Sequence, residues 1–423
     1  MNGLLNWSRT FGYTAERLHH PSSTEQVQDL VRDARQIGVL GSRHSFNALA
    51  DSPNELVSLE NLADRISIDR SRSTVTVPGG MKYGRLGEAL HAEGLALPNL
   101  ASLPHISVAG ACATATHGSG RANGSLASAV TAIELVDGTG ELRSLSRAYD
   151  DDFPGVVVGL GALGVVTAMT LDVEPTYEVR QDVFENLAWT QVLEHLDEIT
   201  SSAYSVSLFT DWTGETVPHV WLKSRVDRAA PPTGDFFGAT PATTKRHPVP
   251  GVPALHCTEQ FGEPGPWYDR LPHFRHAFEP SNGDEIQSEY LVPYEHAAAS
   301  IEALRGLSSR IAPVVLVAEI RTVAADDLWM SPFYGQPCVA FHFTWRNAPA
   351  EVEAVLPELE ARLAHFDARP HWGKVFAMAP DRVQARYERL QDFRDLAERL
   401  DPEHKFRNGF LDRYVFEDRA ELP

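Results

Sequence analysis

Two patterns of apolar residues divide the chain into regions with different predicted secondary structure. In residues 22–36, capping residues precede apolar positions from Val27 to Ala34 at helical spacing, and the apolar run Ile37–Leu40 then favours a strand. The same criteria predict two further strands and a helix, at Leu56–Leu59, Thr74–Val77 and Tyr83–Glu93.

Beyond Pro175, strand-like runs predominate. Strands are expected at Tyr204–Thr210, His219–Arg225, Glu285–Val292, Pro313–Thr322 and Cys338–Trp345, and helices at Tyr294–Leu307 and Glu351–Ala364. The proline-rich residues 230–272 predict a long irregular surface connection, a kind of segment that sometimes serves as a lid over a site. The second region therefore favours an α+β domain with a mostly antiparallel sheet.

Small residues are concentrated in two places. Residues 107–129 contain almost no side chain larger than threonine, which permits close approach to a large flat ligand or, equally, a tightly packed helix. The motif Gly159–Gly164 matches G-x-G-x-x-G, but it leads into the alternating run Val165–Val173, a strand where a dinucleotide-binding turn requires a helix. We interpret the motif as part of a hairpin-like bend.

The composition excludes several classes of protein. With 423 residues, 43% of them apolar, the chain suits two or three domains with substantial cores. A formal net charge of −20 argues against a nucleic-acid partner or a basic membrane-binding surface. We find no export signal or membrane-spanning run and expect a cytoplasmic protein. Cys112, Cys257 and Cys338 lie far apart, which indicates buried free thiols.

The turn Gly41–Asn47 carries the most specific chemistry in the sequence. It places His44 among small residues directly after the predicted strand Ile37–Leu40. A Gly/Ser turn after a strand lets backbone N–H groups converge on an anion such as a pyrophosphate, and it leaves the next side chain on a rigid base. His44 is therefore a candidate for covalent attachment to a cofactor.

Three of the predicted strands carry polar side chains on one face and apolar ones on the other. Alternation places Glu319 with Arg321, His342 with Thr344, and Gln287 with Glu289. On a single strand such residues favour a structural ion pair, because unpaired buried charges cost several kcal/mol. Two such strands in one domain instead favour a row of donors and acceptors suited to sugar hydroxyls.

Two further polar features are less specific. Lys374 adds a cation within His371–Lys374, although a lone lysine is more typical of a solvated surface. His273 and His276 have the spacing of metal ligands, but no third ligand accompanies them. We therefore expect both to be surface histidines and predict no metal site.

Separate motifs in a fixed order resemble the bacterial alditol oxidases, sugar-alcohol oxidases of the vanillyl-alcohol-oxidase-like flavoprotein superfamily that are related to the aldonolactone oxidases. The motifs are Gly41–Asn47, Ser102–Gly120, Glu319–Thr322 and His371–Lys374, with Phe406–Asn408 near the C-terminus. The resemblance implies a two-domain α+β flavoprotein. Residues 1–177 would form the FAD-binding domain, residues 178–374 a substrate domain with an antiparallel sheet, and residues 375–423 a segment returning to the FAD-binding domain.

The resemblance also implies the site residues. FAD is expected to be attached covalently through His44, and the positions that correspond to FAD contacts are Gly41, Ser42, Arg43, His44, Ser45, Ser102, Ser107, Gly110, Thr114, His117, Val166 and His371. The positions that correspond to the polyol site are Ser102, Glu319, Arg321, Thr344 and Lys374, with Gln287 and His342 lining the same cavity.

The reaction implied is oxidation of the terminal hydroxyl of a xylitol- or sorbitol-like alditol, with hydride transfer to FAD and reoxidation by O₂ to give H₂O₂. Arg321 and Lys374 would hold the reacting hydroxyl, with Glu319 anchoring its neighbours and keeping Arg321 aligned. His342 would accept the proton. Small Ala101 would leave oxygen a path to the flavin.

Other functions remain open at this point. The nearest alternative is an aldonolactone oxidase with the same flavin chemistry, and the more distant ones are an NAD-dependent dehydrogenase and a carbohydrate-binding protein without catalysis. We expect a monomer with a polyol and O₂ as its partners. Arg43 stands where close relatives have glycine, so a positive φ there would cost about 1 kcal/mol or more.

Overall fold

The computed structural model describes residues 3–62, 65–228, 234–278 and 284–417. The first layer is a small parallel sheet in which Glu55–Ser58 lies between Arg17–His19 and Ile37–Leu40. The turn that contains His44 follows the edge strand Ile37–Leu40 directly, as the sequence predicts. The regular backbone of this strand therefore fixes where the turn begins.

The helix Thr24–Asp33 packs against this parallel sheet. It begins after Ser23, whose side chain accepts a hydrogen bond from the backbone N–H of Gln26. Val27 and Val31 are fully buried in the core that the helix shares with the sheet. The helix is shorter than predicted but keeps the predicted apolar face.

A five-stranded antiparallel sheet forms the second layer. Its strands lie in the spatial order Ser67–Asp69, Thr74–Pro78, Val165–Asp172, Val130–Val136 and Leu142–Ser146. The other elements of this part are the helices Tyr83–Ala92, Val108–Cys112 and Phe153–Val157, the 3₁₀ turns Ala48–Ala50 and Leu126–Ala129, and the ladder of Leu95–Ala96 with Glu174–Pro175. Val165–Asp172 alternates buried with half-buried residues, which is the predicted period of two.

A nine-stranded antiparallel sheet makes up most of the second half. Its strands lie in the spatial order Thr240–Pro241, Glu178–Ala188, Thr216–Arg225, Ser205–Thr210, Val315–Val323, Cys338–Arg346, Glu285–Pro293 and Arg369–Pro370, and Gly265–Pro266 also pairs with Glu178–Ala188. Its α-helices are Trp189–Glu194, Leu196–Ser201, Ala297–Arg305, Ser308–Ile311 and Pro349–Leu363. Short 3₁₀ turns occur at Ala254–His256, Trp267–Asp269, Tyr294–His296 and Ala364–Phe366.

One face of this large sheet forms an apolar core with the helices. Ile320, Phe341 and Phe343 share that core with Ile301 and Leu359 from two of the helices. The other face carries the polar side chains that alternate with them, here called the polar face: Gln287, Glu289, Glu319, Arg321, His342 and Thr344. The α+β class and the antiparallel sheet of the second region are thus confirmed.

The C-terminal segment packs back onto the first two layers. It contains the helices Pro380–Gln384, Leu390–Leu400 and Gly409–Leu411 and the π-helical turn Asp412–Phe416. The backbone carbonyl of Lys405 accepts a hydrogen bond from the backbone N–H of Ile37 at 2.8 Å. The side-chain amide of Asn408 donates to the carbonyl oxygens of Leu49 and Asp51 at 3.0 and 2.8 Å.

Two local predictions differ from the structure. Residues 107–129 do not form one packed helix, because Val108–Cys112 is followed by an irregular stretch in which Ala115 and Gly120 have positive φ. The motif Gly159–Gly164 joins the helix Phe153–Val157 to a strand, so it is not part of a hairpin. Positive φ values at its last two glycines turn the chain into that strand.

Within the predicted connection, the described residues 234–272 are irregular with only short pieces of regular structure, as predicted; Pro231 and Pro232 lie outside the described residues. Cys112, Cys257 and Cys338 are buried free thiols. Across the described part of the chain, no helix combines the length and the apolar character that crossing a bilayer requires.

Candidate active site

A cavity of about 530 Å³ lies between the turn Gly41–Asn47 and the polar face of the large sheet. It is lined by all of the residues predicted to bind substrate or to act in catalysis: Ser102, Gln287, Glu319, Arg321, His342, Thr344 and Lys374. It is also lined by most of the predicted FAD contacts: Gly41, Ser42, Arg43, His44, Ser45, Ser102, Gly110, Thr114, His117 and His371. The structure therefore brings together residues that are up to about 330 positions apart.

Ser107 and Val166 are the predicted FAD contacts that do not line this cavity. Ser107 instead holds the turn, because its backbone N–H donates to Ser42 Oγ at 3.2 Å and its own Oγ accepts from the Ser42 backbone N–H at 3.3 Å. A Cβ atom added at Gly41 or Gly110 would lie 2.7 Å from Ser107 Oγ. A larger residue at either position would displace Ser107 Oγ from its contact with the turn.

The imidazole of His44 is half-buried within the turn. Its ring stacks on Trp7 with the centroids 5.2 Å apart, and its Nδ1 lies 3.1 Å from Ser42 Oγ. Burial, reinforced by the charge of Lys374, lowers the pKa of His44 to about 3, so the ring is neutral near pH 7. Its Nε2 atom is buried and has no hydrogen-bond partner among the described residues.

Arg43 adopts the left-handed conformation with φ of 62°, the positive φ that the sequence analysis considered. Its backbone carbonyl accepts a hydrogen bond from the backbone N–H of Trp7 at 2.8 Å. This contact links the strained residue to the aromatic ring that packs on His44.

Direct hydrogen bonds join the His44 turn to the segment that carries Lys374. The backbone N–H of Phe46 donates to the Gly373 carbonyl at 2.8 Å. The side-chain amide of Asn47 donates to the carbonyls of Trp372 and Lys374 at 2.8 and 2.9 Å. Lys374 is thereby held at a fixed place relative to His44.

Glu289 is the centre of the charge network on the polar face. Its carboxylate accepts a hydrogen bond from Arg321 Nη2 at 2.6 Å and lies 3.1 Å from His117 Nε2. The other oxygen of Glu289 lies 3.3 Å from His342 Nδ1. Although burial opposes ionisation, the Arg321 guanidinium and the neighbouring histidines hold the pKa of Glu289 well below its usual value.

The ionised state of Glu289 determines the tautomer of His342. Because a carboxylate only accepts, Nδ1 of His342 must donate to it, and Nε2 is left as an acceptor 3.3 Å from Thr344 Oγ1. Burial lowers the pKa of His342, which keeps this ring neutral near pH 7. The side chain thus has a free base directed along the polar face.

Lys374 is the second cation at the cavity. Its ammonium group donates to Gln287 Oε1, and the Gln287 amide in turn donates to Glu285. Burial lowers the pKa of Lys374 to about 8, so most of it is protonated at pH 7. Burial raises the pKa of Glu285, whose carboxyl completes this chain of contacts.

The expectation of surface histidines is wrong for His273. This residue is 6% exposed, and its Nε2 lies 2.9 Å from Glu319 Oε1. The sequence analysis missed it because the contact joins an irregular segment to a strand 46 residues later. No group of three His, Cys, Asp or Glu side chains among the described residues is arranged to hold a metal ion.

The cavity residues fit a bound flavin. His44 offers an unpaired, buried ring nitrogen, and Gly41 and Gly110 keep the adjoining wall free of side chains. The hydroxyl-bearing residues Ser42, Ser45 and Thr114 line the same space. This donor set and the large apolar surface contributed by Trp7 and Leu160 suit a dinucleotide with a planar ring.

Comparisons with known proteins agree with this site. Residues 15–146 match the FAD binding domain family, and residues 283–414 match the D-arabinono-1,4-lactone oxidase family. An alditol oxidase from Streptomyces sp. is 48% identical over 416 residues, which cover 96% of this chain and 98% of that protein. An L-gulono-1,4-lactone dehydrogenase from Mycobacterium tuberculosis is 27% identical over 435 residues, covering 97% and 98% of the two chains.

Among solved structures, cholesterol oxidase from B. sterolicum superimposes with a TM-score of 0.77 at 16% identity, covering 97% of this chain and 96% of that one. This likeness concerns the fold alone. The two family matches and the full-length relative, together with the site, define an FAD-dependent oxidoreductase of the vanillyl-alcohol-oxidase-like class. Within that class, the full-length similarity at 48% identity shows that the chain belongs to the alditol oxidase family.

Proposed function

We propose that this enzyme oxidises the terminal hydroxyl of an alditol such as xylitol or sorbitol to the corresponding aldose. The observation that carries the proposal is the polar face, whose charged and hydroxyl groups line the same cavity as the His44 turn. A row of alternating donors and acceptors matches the successive hydroxyls of a polyol.

The residues of the polar face, together with Lys374 and Ser102, have different roles in this reaction. Arg321 and Lys374 bind the oxygen of the terminal hydroxyl and neutralise the negative charge that develops on it. Glu319 accepts hydrogen bonds from the neighbouring hydroxyls, and Ser102, Gln287 and Thr344 complete their binding. Bound FAD supplies the two-electron acceptor for the hydride of the alcohol carbon, with O₂ as the final acceptor and H₂O₂ as the product.

His342 takes the hydroxyl proton at Nε2. The contact of its Nδ1 with Glu289 fixes the tautomer that leaves Nε2 free, and the low pKa keeps the ring unprotonated. When Nε2 gains the proton, the ring becomes a cation beside the Glu289 carboxylate, which stabilises it. Glu289 is therefore an additional positioning residue.

We also propose covalent attachment of FAD through His44. The orphaned Nε2 atom and the low pKa support this proposal, since a neutral, unpaired ring nitrogen could bond to the 8α-methyl carbon of the flavin. The imidazole and the methyl group would each give up one hydrogen, and O₂ would take up both hydrogens with their electrons as H₂O₂. Mass spectrometry of the intact enzyme should then show the polypeptide plus one flavin, located on the peptide that contains His44. The bare polypeptide mass in an active preparation would contradict the attachment but not the oxidation.

Four expectations from the sequence stay predictions. They are the boundaries of the FAD-binding domain at 1–177, the substrate domain at 178–374 and the returning segment at 375–423; a monomeric state; cytoplasmic localisation; and an oxygen path beside Ala101. The contacts of Lys405 and Asn408 with the first layer support the return of the C-terminal segment.

A second candidate function is oxidation of an aldonolactone, favoured by the match of residues 283–414 to the D-arabinono-1,4-lactone oxidase family. Flavin-loaded enzyme should be assayed for O₂ consumption and H₂O₂ release with xylitol, sorbitol and aldonolactones. We expect kcat/KM for the alditols to exceed that for the lactones at least about 100-fold, since unmatched polar groups each cost about 1–3 kcal/mol. A preference for lactones would overturn the proposal.

A further inference from the structure

His273 lies at the junction of both halves of the cavity. Its backbone N–H donates to the carbonyl of Ser102 at 3.0 Å, and its backbone carbonyl accepts from the Thr258 N–H at 2.9 Å. Its ring packs edge-on against Phe209 and Trp221, with centroids 5.5 and 5.2 Å away. Backbone and ring are thus both held by neighbours.

Among the described residues, the one hydrogen bond of the His273 ring goes to Glu319, a residue that we assign to substrate binding. Nε2 of His273 lies 2.9 Å from Glu319 Oε1, and the two residues are 6% and 5% exposed. Burial lowers the pKa of His273 to about 4, so the ring is neutral. Although burial acts in the other direction, Arg321 and His273 hold the pKa of Glu319 well below its usual value. The ionised Glu319 only accepts, so Nε2 of His273 is the donor.

This hydrogen bond determines how far the carboxylate of Glu319 lies from the guanidinium of Arg321. Oε2 of Glu319 lies 3.6 Å from Arg321 Nε, which is beyond hydrogen-bond distance. Without the bond to His273, the carboxylate would be free to turn and form a close ion pair with Arg321. Both groups would then be less available to substrate hydroxyls.

Lys223 fixes the backbone immediately before His273. Its ammonium group donates to the carbonyl oxygens of Arg270, Leu271 and Pro272 at 2.9, 2.6 and 2.8 Å. Lys223 is 1% exposed, so all three of its N–H groups are used inside the protein. Burying an ammonium group is costly, and these three bonds offset that cost only while the three carbonyls point at it.

We propose that His273, held in place by Lys223, is a positioning residue that keeps Glu319 available to substrate hydroxyls and so sets the preference for long polyols over short diols. The proposal rests on the proposed function, because it takes Glu319 as a ligand of the hydroxyls next to the reacting one. Neither His273 nor Lys223 needs to touch the substrate.

The test compares two amides at position 273 in flavin-loaded enzyme. In His273→Gln the amide nitrogen replaces Nε2 and can still donate to Glu319, whereas the shorter amide of His273→Asn reaches only the place of Nδ1. For His273→Asn we expect kcat/KM for xylitol to fall about 10- to 100-fold, as for the loss of one charge-assisted hydrogen bond. For 1,2-propanediol, with one neighbouring hydroxyl, the fall should be at least about fivefold smaller. His273→Gln should restore most of the preference.

Lys223→Met tests the same inference with His273 intact. It removes the donors to residues 270–272 and should lower the preference for xylitol over 1,2-propanediol in the same direction. Lys245→Met is the matched control, because Lys245 lies in the irregular connection that also contains residues 270–272, is partly exposed and pairs with Glu259. It should leave the preference unchanged. If His273→Asn does not yield flavin-loaded protein, Lys223→Met decides the question.

Binding measured without O₂ and with the flavin already reduced by dithionite, so that xylitol is not oxidised, gives an independent measurement. Millimolar xylitol should raise the midpoint of thermal unfolding of the wild type and His273→Gln more than the same concentration of glycerol does, and this difference should shrink in His273→Asn. His273 would be shown only to support the fold if His273→Asn lost kcat/KM equally for xylitol and 1,2-propanediol and kept the wild-type difference between the thermal midpoints in xylitol and in glycerol. A wild type inactive on every alditol would instead refute the proposed function.

Discussion

The turn Gly41–Asn47 and the polar face line the same cavity but are built from different chemistry. The turn relies on backbone groups, on small side chains and on Gly41, which leaves space, and the imidazole of its His44 is neutral. The polar face relies on buried charges that depend on one another, above all Glu289 and Arg321. We therefore expect substitutions in the two walls to act in different ways. A larger residue near the turn removes space for the cofactor, whereas a substitution on the polar face leaves buried charges unpaired.

The largest effect should follow from removing a charge on the polar face. Arg321→Met leaves Glu289 and Glu319 buried without their shared cation, and it should lower the free energy of unfolding by about 3–5 kcal/mol and abolish turnover. Chemical denaturation and an oxygen-consumption assay measure the two effects. Arg310→Met, at a half-exposed ion pair with Glu358, should cost about 1 kcal/mol or less. Equal losses in the two variants would refute the interdependence of the charges.

The next largest effect should come from adding a side-chain atom to the wall of the cavity that is formed by the turn and Gly110. Gly110→Ala places a Cβ atom 2.7 Å from Ser107 Oγ, so the enzyme should lose most of its flavin and about 1–3 kcal/mol of stability. The ratio of flavin to protein absorbance reports the loading. Gly409→Ala meets no atom within 4 Å and serves as the control. Normal flavin loading of Gly110→Ala would mean that flavin binding does not require glycine at position 110.

The pH dependence of turnover tests the role of Lys374 as a cation at the cavity. Burial lowers its pKa to about 8, with Arg321 lowering it further and Glu289 and Glu285 raising it. Since the protonated form neutralises the developing charge, kcat/KM for an alditol should be level well below pH 8, decline around it and fall about tenfold per pH unit well above it. Lys374→Arg should be slower but should lack this fall, because arginine stays charged. A fall that persists in Lys374→Arg would assign it to another group.

The smallest effect concerns Arg43. Arg43→Gly relieves a left-handed conformation worth about 1–2 kcal/mol but gives flexibility to the unfolded chain. The free energy of unfolding should rise by about 1 kcal/mol or less, as measured by denaturant titration. Flavin attachment should stay complete, and a decrease would mean that the arginine side chain itself helps to form the turn.

The same contrast explains what the sequence could predict. The period of two along Val315–Val323 and Cys338–Arg346 was enough to place Glu319, Arg321, His342 and Thr344 on one face, because a regular strand fixes where side chains point. Lys374 and the FAD contacts came from the family resemblance. No local pattern in the sequence brings the segment 371–374 against Asn47.

Two features escaped prediction for physical reasons. The strand Glu178–Ala188 was not predicted: Gln181 is buried within it and Asn186 has φ of 62°, so its apolar alternation is broken. His273 was misjudged because its position depends on three carbonyls held by Lys223, a tertiary arrangement with no periodic signal.

The hydrogen bonds from residues 405–408 to the first layer have a consequence for biosynthesis. The edge strand that leads into the His44 turn donates from Ile37 to Lys405, and the carbonyl of Val31 accepts from the Lys405 ammonium group at 2.9 Å. A ribosome therefore has to synthesise the chain at least as far as residue 408 before these contacts can form. We expect flavin to be taken up only after that point of synthesis.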